Sequence, residues 1–266
     1  MMVGNPLTAA PPYESFAPFY DSFTAGSNYE LWTSHVLDLA HRHGLAGRRL
    51  LDVACGTGKS LMPLLGRGFE ATGADVSPAM LAQAARKTAG AVLVEADMRT
   101  LPVLGEFDLV VCFDDSLNHL LGEADLGAAL RSMAANLAAT GLLMFDLNTL
   151  LAYRSTFAVD RVFESEGITF AWRGESRPDA SAGCYAAASI DCFVPGTDGC
   201  YRRTTSRHEQ RHFPPDQVQA LLARAELDCL GVYGVLEDGS HVPEVDETTQ
   251  LKAMYVARHA KGGDTE

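Results

Sequence analysis

Residues 49–61 constrain this chain more than any other stretch. The apolar run Leu50-Leu51-Asp52-Val53 meets Gly56 and Gly58, and a helical pattern begins at Leu61. A near-continuous apolar run is the mark of a strand buried on both faces in a parallel sheet. Glycines directly after it let the backbone approach a ligand closely, at the place where α/β sheets bind cofactors. Spacing then separates the cofactors. A dinucleotide fingerprint needs a third glycine where Leu61 stands, and a P-loop needs a glycine five residues before Gly58, where Val53 stands. Both NAD and ATP are disfavoured. What remains, Asp52-x-Ala54-x-Gly56-x-Gly58, suits a ligand with an amino-acid end, with Asp52 anchoring loop amides or, through water, an ammonium group.

Two more strand patterns end in acidic residues. Residues 69–74 run into Asp75, whose carboxylate is placed to take both hydroxyls of a ribose. Residues 92–97 end in Asp97, placed to accept from an adenine amino group while Met98 packs on the ring. A fourth apolar run, 107–113, is followed by the polar septet 114–120.

This ordered set resembles the class I S-adenosylmethionine-dependent methyltransferases, especially the small-molecule enzymes that methylate amines, sugars and natural-product scaffolds. The resemblance covers residues 20–258 and departs at Ala54, where many members carry glycine. It implies a Rossmann-like α/β fold: a mostly parallel seven-stranded sheet flanked by helices, with an inserted antiparallel β lid. It implies S-adenosyl-L-methionine as cofactor, S-adenosyl-L-homocysteine as product, and transfer of a methyl group to an N, O or C nucleophile by in-line displacement. The cofactor-binding set it implies is Tyr20, Trp32, Asp52, Ala54, Gly56, Gly58, Asp75, Val76, Met80, Asp97, Met98 and Phe113. Tyr20 and Trp32 enter, with Tyr29 as a neighbour on the same segment, because related enzymes fold a segment preceding the first strand over the cofactor. Two rival readings stay open: another group transfer or a cyclisation on the same fold, and a non-catalytic binding module.

Composition narrows the acceptor. A formal charge of -13 and a pI near 5.0 leave no basic stripe for nucleic acid, so a small molecule is the expected partner. There is no apolar span of membrane length, and residues 1–10 lack the pattern of a signal peptide, so a cytoplasmic protein without a membrane partner is expected. A homodimer is left open. The six cysteines form no C-x-x-C pair and do not cluster with histidines, which disfavours disulfides and zinc.

Along the chain, residues 1–12 read as a flexible tail, 13–159 and 214–258 as the cofactor-binding core, and 259–266 as a second tail. Residues 160–213 alternate with period two between glycine-rich turns, the pattern of inserted antiparallel hairpins forming a lid or substrate floor. Imidazole titrates near neutrality, which makes His119, just beyond the fourth strand, the first candidate base. Asp115 and Asn118 are candidates to bind a substrate amine or orient the methyl group. His208 is the second candidate base, supported by the resemblance through the Arg three positions on, and it should share a strand face with Gln210.

Overall fold

The computed structural model describes residues 13–260, so the tail expected over 1–12 and most of the second tail lie outside the described residues. Helices α1 (Ala17–Phe23) and α2 (Tyr29–Arg42) precede the first strand. Strands and helices then alternate: β1 (Arg49–Val53), α3 (Leu61–Gly66), β2 (Glu70–Asp75), α4 (Pro78–Ala84), β3 (Val92–Glu95), β4 (Phe107–Cys112), α5 (Glu123–Ala134) and β5 (Leu137–Asn148). A short α6 (Leu150–Arg154) leads into β6 (Asp160–Ser165), β7 (Ile168–Gly174), β8 (Tyr185–Pro195) and β9 (Tyr201–Arg211). The described chain ends with α7 (Pro215–Arg224), β10 (Leu227–Val235), β11 (His241–Pro243) and β12 (Lys252–His259).

The main sheet has eight strands in the order β11-β10-β12-β5-β4-β1-β2-β3, one more than expected, because β11 folds back on β10 as a short hairpin. Strands β5 to β3 are parallel and β12, β10 and β11 antiparallel. Strand β1 lies between β2 and β4, so the crossovers leave it in opposite directions and open a crevice beyond its carboxyl end. Alternation along the central strands explains why they are apolar throughout. Leu51, Val53, Val110 and Cys112 pack against Leu126, Leu130 and Met133 of α5 and Val218 and Leu222 of α7. Leu50, Leu109 and Val111 pack on the other face against Val36, Leu39 and Ala40 of α2 and Leu61 and Leu64 of α3. Cys112 and Cys55 are buried in these clusters as small apolar side chains.

Local chemistry sets the element ends. Ser77 caps α4 by accepting from the Met80 amide at 3.2 Å, with Pro78 in the first turn. Helix α5 ends at Ala134. The buried Asn136 side chain bonds Pro102 O, Ser132 O and the Leu104 amide, and turns the chain into β5.

The inserted segment forms a separate four-stranded antiparallel sheet, β6-β7-β8-β9. Its inner face carries Phe170, Ile190 and Cys192 against Phe16 and Phe23 at α1. Ala186 and Ala188 of the same face meet Tyr153 and Phe157 after β5. No described helix is long and apolar enough to cross a membrane.

Candidate functional site

The crevice beyond β1 and β4 holds a cavity of about 610 Å³. Its walls include Tyr20, Ala54, Gly56, Asp75, Val76, Met80, Asp97, Met98 and His119, all sequence candidates, together with Tyr13, Asp114, Arg207 and Glu209. Four consecutive strand ends thus meet in one space.

On the glycine side, the Asp75 carboxylate accepts from the Gly56 amide at 2.9 Å and the Ser77 amide at 2.8 Å. Burial pushes its pKa up while those amides pull it back, and the net direction is upward. Gly56 sits at φ +53°, with nothing within 4 Å of the place a side chain would occupy, so the loop leaves an open cradle there. Ala54 also adopts a left-handed φ of +61°. That is the conformation glycine adopts freely, and holding alanine in it costs about 1 kcal/mol. Asp97 is clamped by Arg99, whose Nε donates to Oδ1 and Oδ2 at 3.0 Å each, and this pairing holds the carboxyl below the usual range.

Several expectations need correction. Gly58 is left-handed at φ +78°, but a Cβ there would stand 2.7 Å from Thr88 Cγ2 and 3.2 Å from Ala84 Cβ; its bareness serves packing against the end of α4, and it does not line the cavity. Gly58→Ala should therefore lower the unfolding free energy by about 3 kcal/mol, from left-handed strain and overpacking together, as read by urea denaturation. Trp32 meets Phe113 edge-on at 4.4 Å within the core and does not line the cavity, whereas Phe113 lines a small recess that shares Tyr20, Ala54, Gly56, Asp114 and Ser116 with the cavity and so adjoins it. Asp52 also lies in that recess, is 1% exposed and accepts from the Ser60 hydroxyl at 2.5 Å, and burial pushes its pKa up to about 7. Asn118 is fully buried: it donates to Arg211 O at 2.8 Å and accepts from the Asn148 amide at 2.9 Å, so it staples β4, β5 and β9 together and is unavailable to a substrate.

His208 is likewise off the cavity. It does share the inward face of β9 with Gln210, as the alternation requires, but that face is buried. Its ring lies 4.6 Å from the Tyr13 ring, with Nε2 at 2.8 Å from the Ser206 hydroxyl, and burial depresses its pKa to about 3. A histidine so placed stays neutral and props Tyr13 from behind.

His119 is at the wall. It ends a 3-10 turn, Ser116–His119, directly after β4. Nδ1 lies 2.9 Å from Glu209 O, and a carbonyl can only accept, so Nδ1 carries the hydrogen. Nε2 is then the acceptor for the Tyr13 hydroxyl at 3.0 Å. Burial lowers the imidazole pKa, partly offset by the Asp115 carboxylate and the Glu209 carbonyl. Asp115 itself lies behind the wall. It accepts from Lys252 Nζ at 3.0 Å and from Gln210 Nε2, and its burial is outweighed chiefly by the Lys252 ammonium, which holds its pKa below the usual value.

Tyr13, Glu14, Asp114 and Lys252 shape the site without having stood out in the sequence. The Glu14 carboxylate accepts from the Ser77 hydroxyl at 2.6 Å, Thr57 donates to Asp21 at 2.5 Å, and Tyr29 donates to Asp114 at 2.6 Å. These bonds strap the segment before β1 across the glycine loop. Tyr13 and Glu14 open the aromatic run 13–23 but sit at its border with the assumed tail, and Lys252 is a lone cation heading an apolar strand.

Comparison with known proteins agrees with this geometry. A family model described as a methyltransferase domain matches residues 50–141, the span from β1 into β5. A protein of Geobacillus sp. (strain WCH70) that carries a methyltransferase name is 31% identical, over 92% of this chain and 99% of that one. The dTDP-3-amino-3,6-dideoxy-alpha-D-glucopyranose N,N-dimethyltransferase of Streptomyces fradiae is 34% identical, over 85% of this chain and 90% of its own length. The crystal structure of a sugar N-methyltransferase from Streptoalloteichus sp. ATCC 53650 superposes with a TM-score of 0.75 at 25% identity, covering 98% of this chain and 99% of that one. Strand ends that gather a glycine loop and two acidic residues into one crevice, on a chain related over nearly its full length to such enzymes, place it in the class I S-adenosylmethionine-dependent methyltransferases.

Proposed function

We propose that this enzyme methylates an amine carried by a small hydroxylated molecule, with His119 accepting the proton that leaves the nitrogen. The observation that carries the reading is the Tyr13–His119 pair, 3.0 Å apart, in the same cavity as Gly56 and Asp75. When bound, S-adenosylmethionine supplies an electrophilic methyl group on a sulfonium. Asp75 would hold the ribose hydroxyls, Val76, Met80 and Met98 would pack on the adenine, and Asp97, fixed by Arg99, would accept from its amino group. The open backbone at Gly56 gives the amino-acid end room to lie against the loop.

Once the donor is activated, the protein's task is alignment and exclusion of water, and alignment of this kind contributes roughly 7–11 kcal/mol. Tyr13 and Tyr20 close the cavity from the strap side, while Arg207 and Glu209 bring the four-stranded sheet to its wall and form the acceptor side. Asp114 and Glu209 draw in an ammonium group, which must shed a proton before its lone pair can attack. The neutral imidazole, with Nε2 as acceptor, receives that proton directly or through the Tyr13 hydroxyl. Tyr13 stays protonated because burial and the nearby Asp115 carboxylate raise its pKa well above the usual value. The names of the Streptomyces and Streptoalloteichus relatives, both N-methyltransferases acting on sugars, support an amino sugar as the acceptor class.

The test is incubation with S-adenosylmethionine and paired acceptors, amino sugars and the matching sugars with hydroxyl in place of the amine, with S-adenosylhomocysteine and methylated product read by mass spectrometry. Turnover only with the amines is expected. Equal methylation of the hydroxyl analogues would sink the amine assignment.

A further inference from the structure

Lys252 stands where three carboxylates converge, and neither the cofactor nor the acceptor reading uses it. Its ammonium lies 3.0 Å from Asp115, 3.1 Å from Asp146 and 3.8 Å from Asp114. These groups come from the loop after β4 and from β5, while Lys252 heads β12, so one side chain joins three elements. The loop it holds is strained. Asp114 and Asp115 are consecutive left-handed residues at φ +57° and +52°, a conformation that non-glycine residues keep only when their surroundings impose it. Asp146 imposes part of it by accepting from the Asp115 amide at 2.6 Å. The far oxygen of Asp115 accepts from Gln210, which stands 3.3 Å from His119 Nε2 and is itself held by Asn148 at 2.9 Å and Tyr153 at 3.3 Å.

We propose that Lys252 is a positioning residue: its ammonium binds the Asp115 and Asp146 carboxylates together and so fixes the left-handed loop and, through it and Gln210, the His119 ring at the cavity wall. Burial works against this ammonium, but the three carboxylates outweigh it and keep it charged. Asp146 is 1% exposed and its carboxyl is pushed upward by burial, so without the cation two adjacent buried carboxylates would repel and the loop would lose its reason to stay left-handed. The groups facing His119 are Tyr13 from the strap, Asp115 from its own loop, and His208 and Gln210 from β9. Removing Lys252 leaves Asp115 as an uncompensated negative charge among them, which favours the imidazolium. The importance of this for turnover rests on the role proposed for His119; the positioning itself does not.

The experiment follows the His119 imidazole by NMR in ring-labelled protein from pH 4 to 9, its signal assigned through His119→Gln, with calorimetry of S-adenosylhomocysteine alongside. In Lys252→Met, the His119 pKa should rise by about one pH unit, the usual size for an unscreened neighbouring charge. Lys252→Arg should titrate like the wild type. The double variant Lys252→Met/Asp115→Asn, which removes the charge left beside His119 while its amide oxygen can still accept from Gln210, should recover most of the wild-type value. Cofactor affinity should stay within about threefold throughout, since the glycine loop and Asp75 are untouched. An unchanged His119 pKa in Lys252→Met overturns the proposal. If Lys252→Met does not fold, the double variant decides: folding with a near-normal His119 supports the charge argument, and failure to fold overturns it. Absence of S-adenosylhomocysteine binding in the wild type would instead defeat the cofactor assignment and leave the His119 result standing.

Discussion

Asp75→Ala should weaken S-adenosylhomocysteine binding by about 100-fold, close to 3 kcal/mol, the upper range for hydrogen bonds to a charged group. The carboxylate does two things at once. It would receive the ribose hydroxyls, and it holds the Gly56 and Ser77 amides at 2.9 and 2.8 Å, so its removal also frees the loop that forms the cradle. Asp75→Asn should recover part of the loss, because one amide oxygen can still accept. The same carboxylate sets a pH dependence. The charged form binds, and burial raises its pKa above the ordinary value near 4, so affinity should be full at neutral pH and begin to fall, as pH is lowered, earlier than for an exposed aspartate. Calorimetry between pH 4.5 and 8 reads both effects.

His119→Gln should lower kcat by about 10²–10⁴, the usual contribution of a positioned base, while S-adenosylhomocysteine affinity moves less than threefold. The sign of the pH effect follows from which form is active. The neutral imidazole accepts the proton, and burial lowers its pKa below the ordinary value near 6.5, so the wild-type rate should not be limited by this group above pH 7 and should drop only in the acid range. The variant should lose that acid limb. A His119→Gln enzyme with normal turnover and an unaltered profile would remove His119 from the chemistry.

The parallel part of the fold was legible because the strands at 49–53 and 107–112 are buried on both faces, and burial on both faces leaves an unbroken apolar run. That these strand ends line one cavity was legible for a related reason. Consecutive crossovers of one hand bring consecutive strand ends together, so Gly56, Asp75 and Asp97 are neighbours in space although 41 residues separate the first from the last. What the sequence hid depends on contacts between distant elements. The bareness of Gly58 answers to Thr88 and not to a ligand, and Asn118 looks like loop chemistry until Asn148 and Arg211 are packed on it. His208 sits on the strand face that the alternation predicts, but only the docking of Tyr13 and Phe16 on that face shows it to be interior. Lys252 has no local signal at all, since its partners lie 106 to 138 residues away in the chain.

Crystals grown with S-adenosylhomocysteine give the most direct measurement. Both ribose hydroxyls should lie within hydrogen-bonding distance of Asp75, the adenine between Met80 and Met98 with its amino group toward Asp97, and the sulfur in the same cavity as His119. Density for the nucleoside outside that cavity, or a ribose with no contact to Asp75, would contradict the cofactor site built on these strand ends.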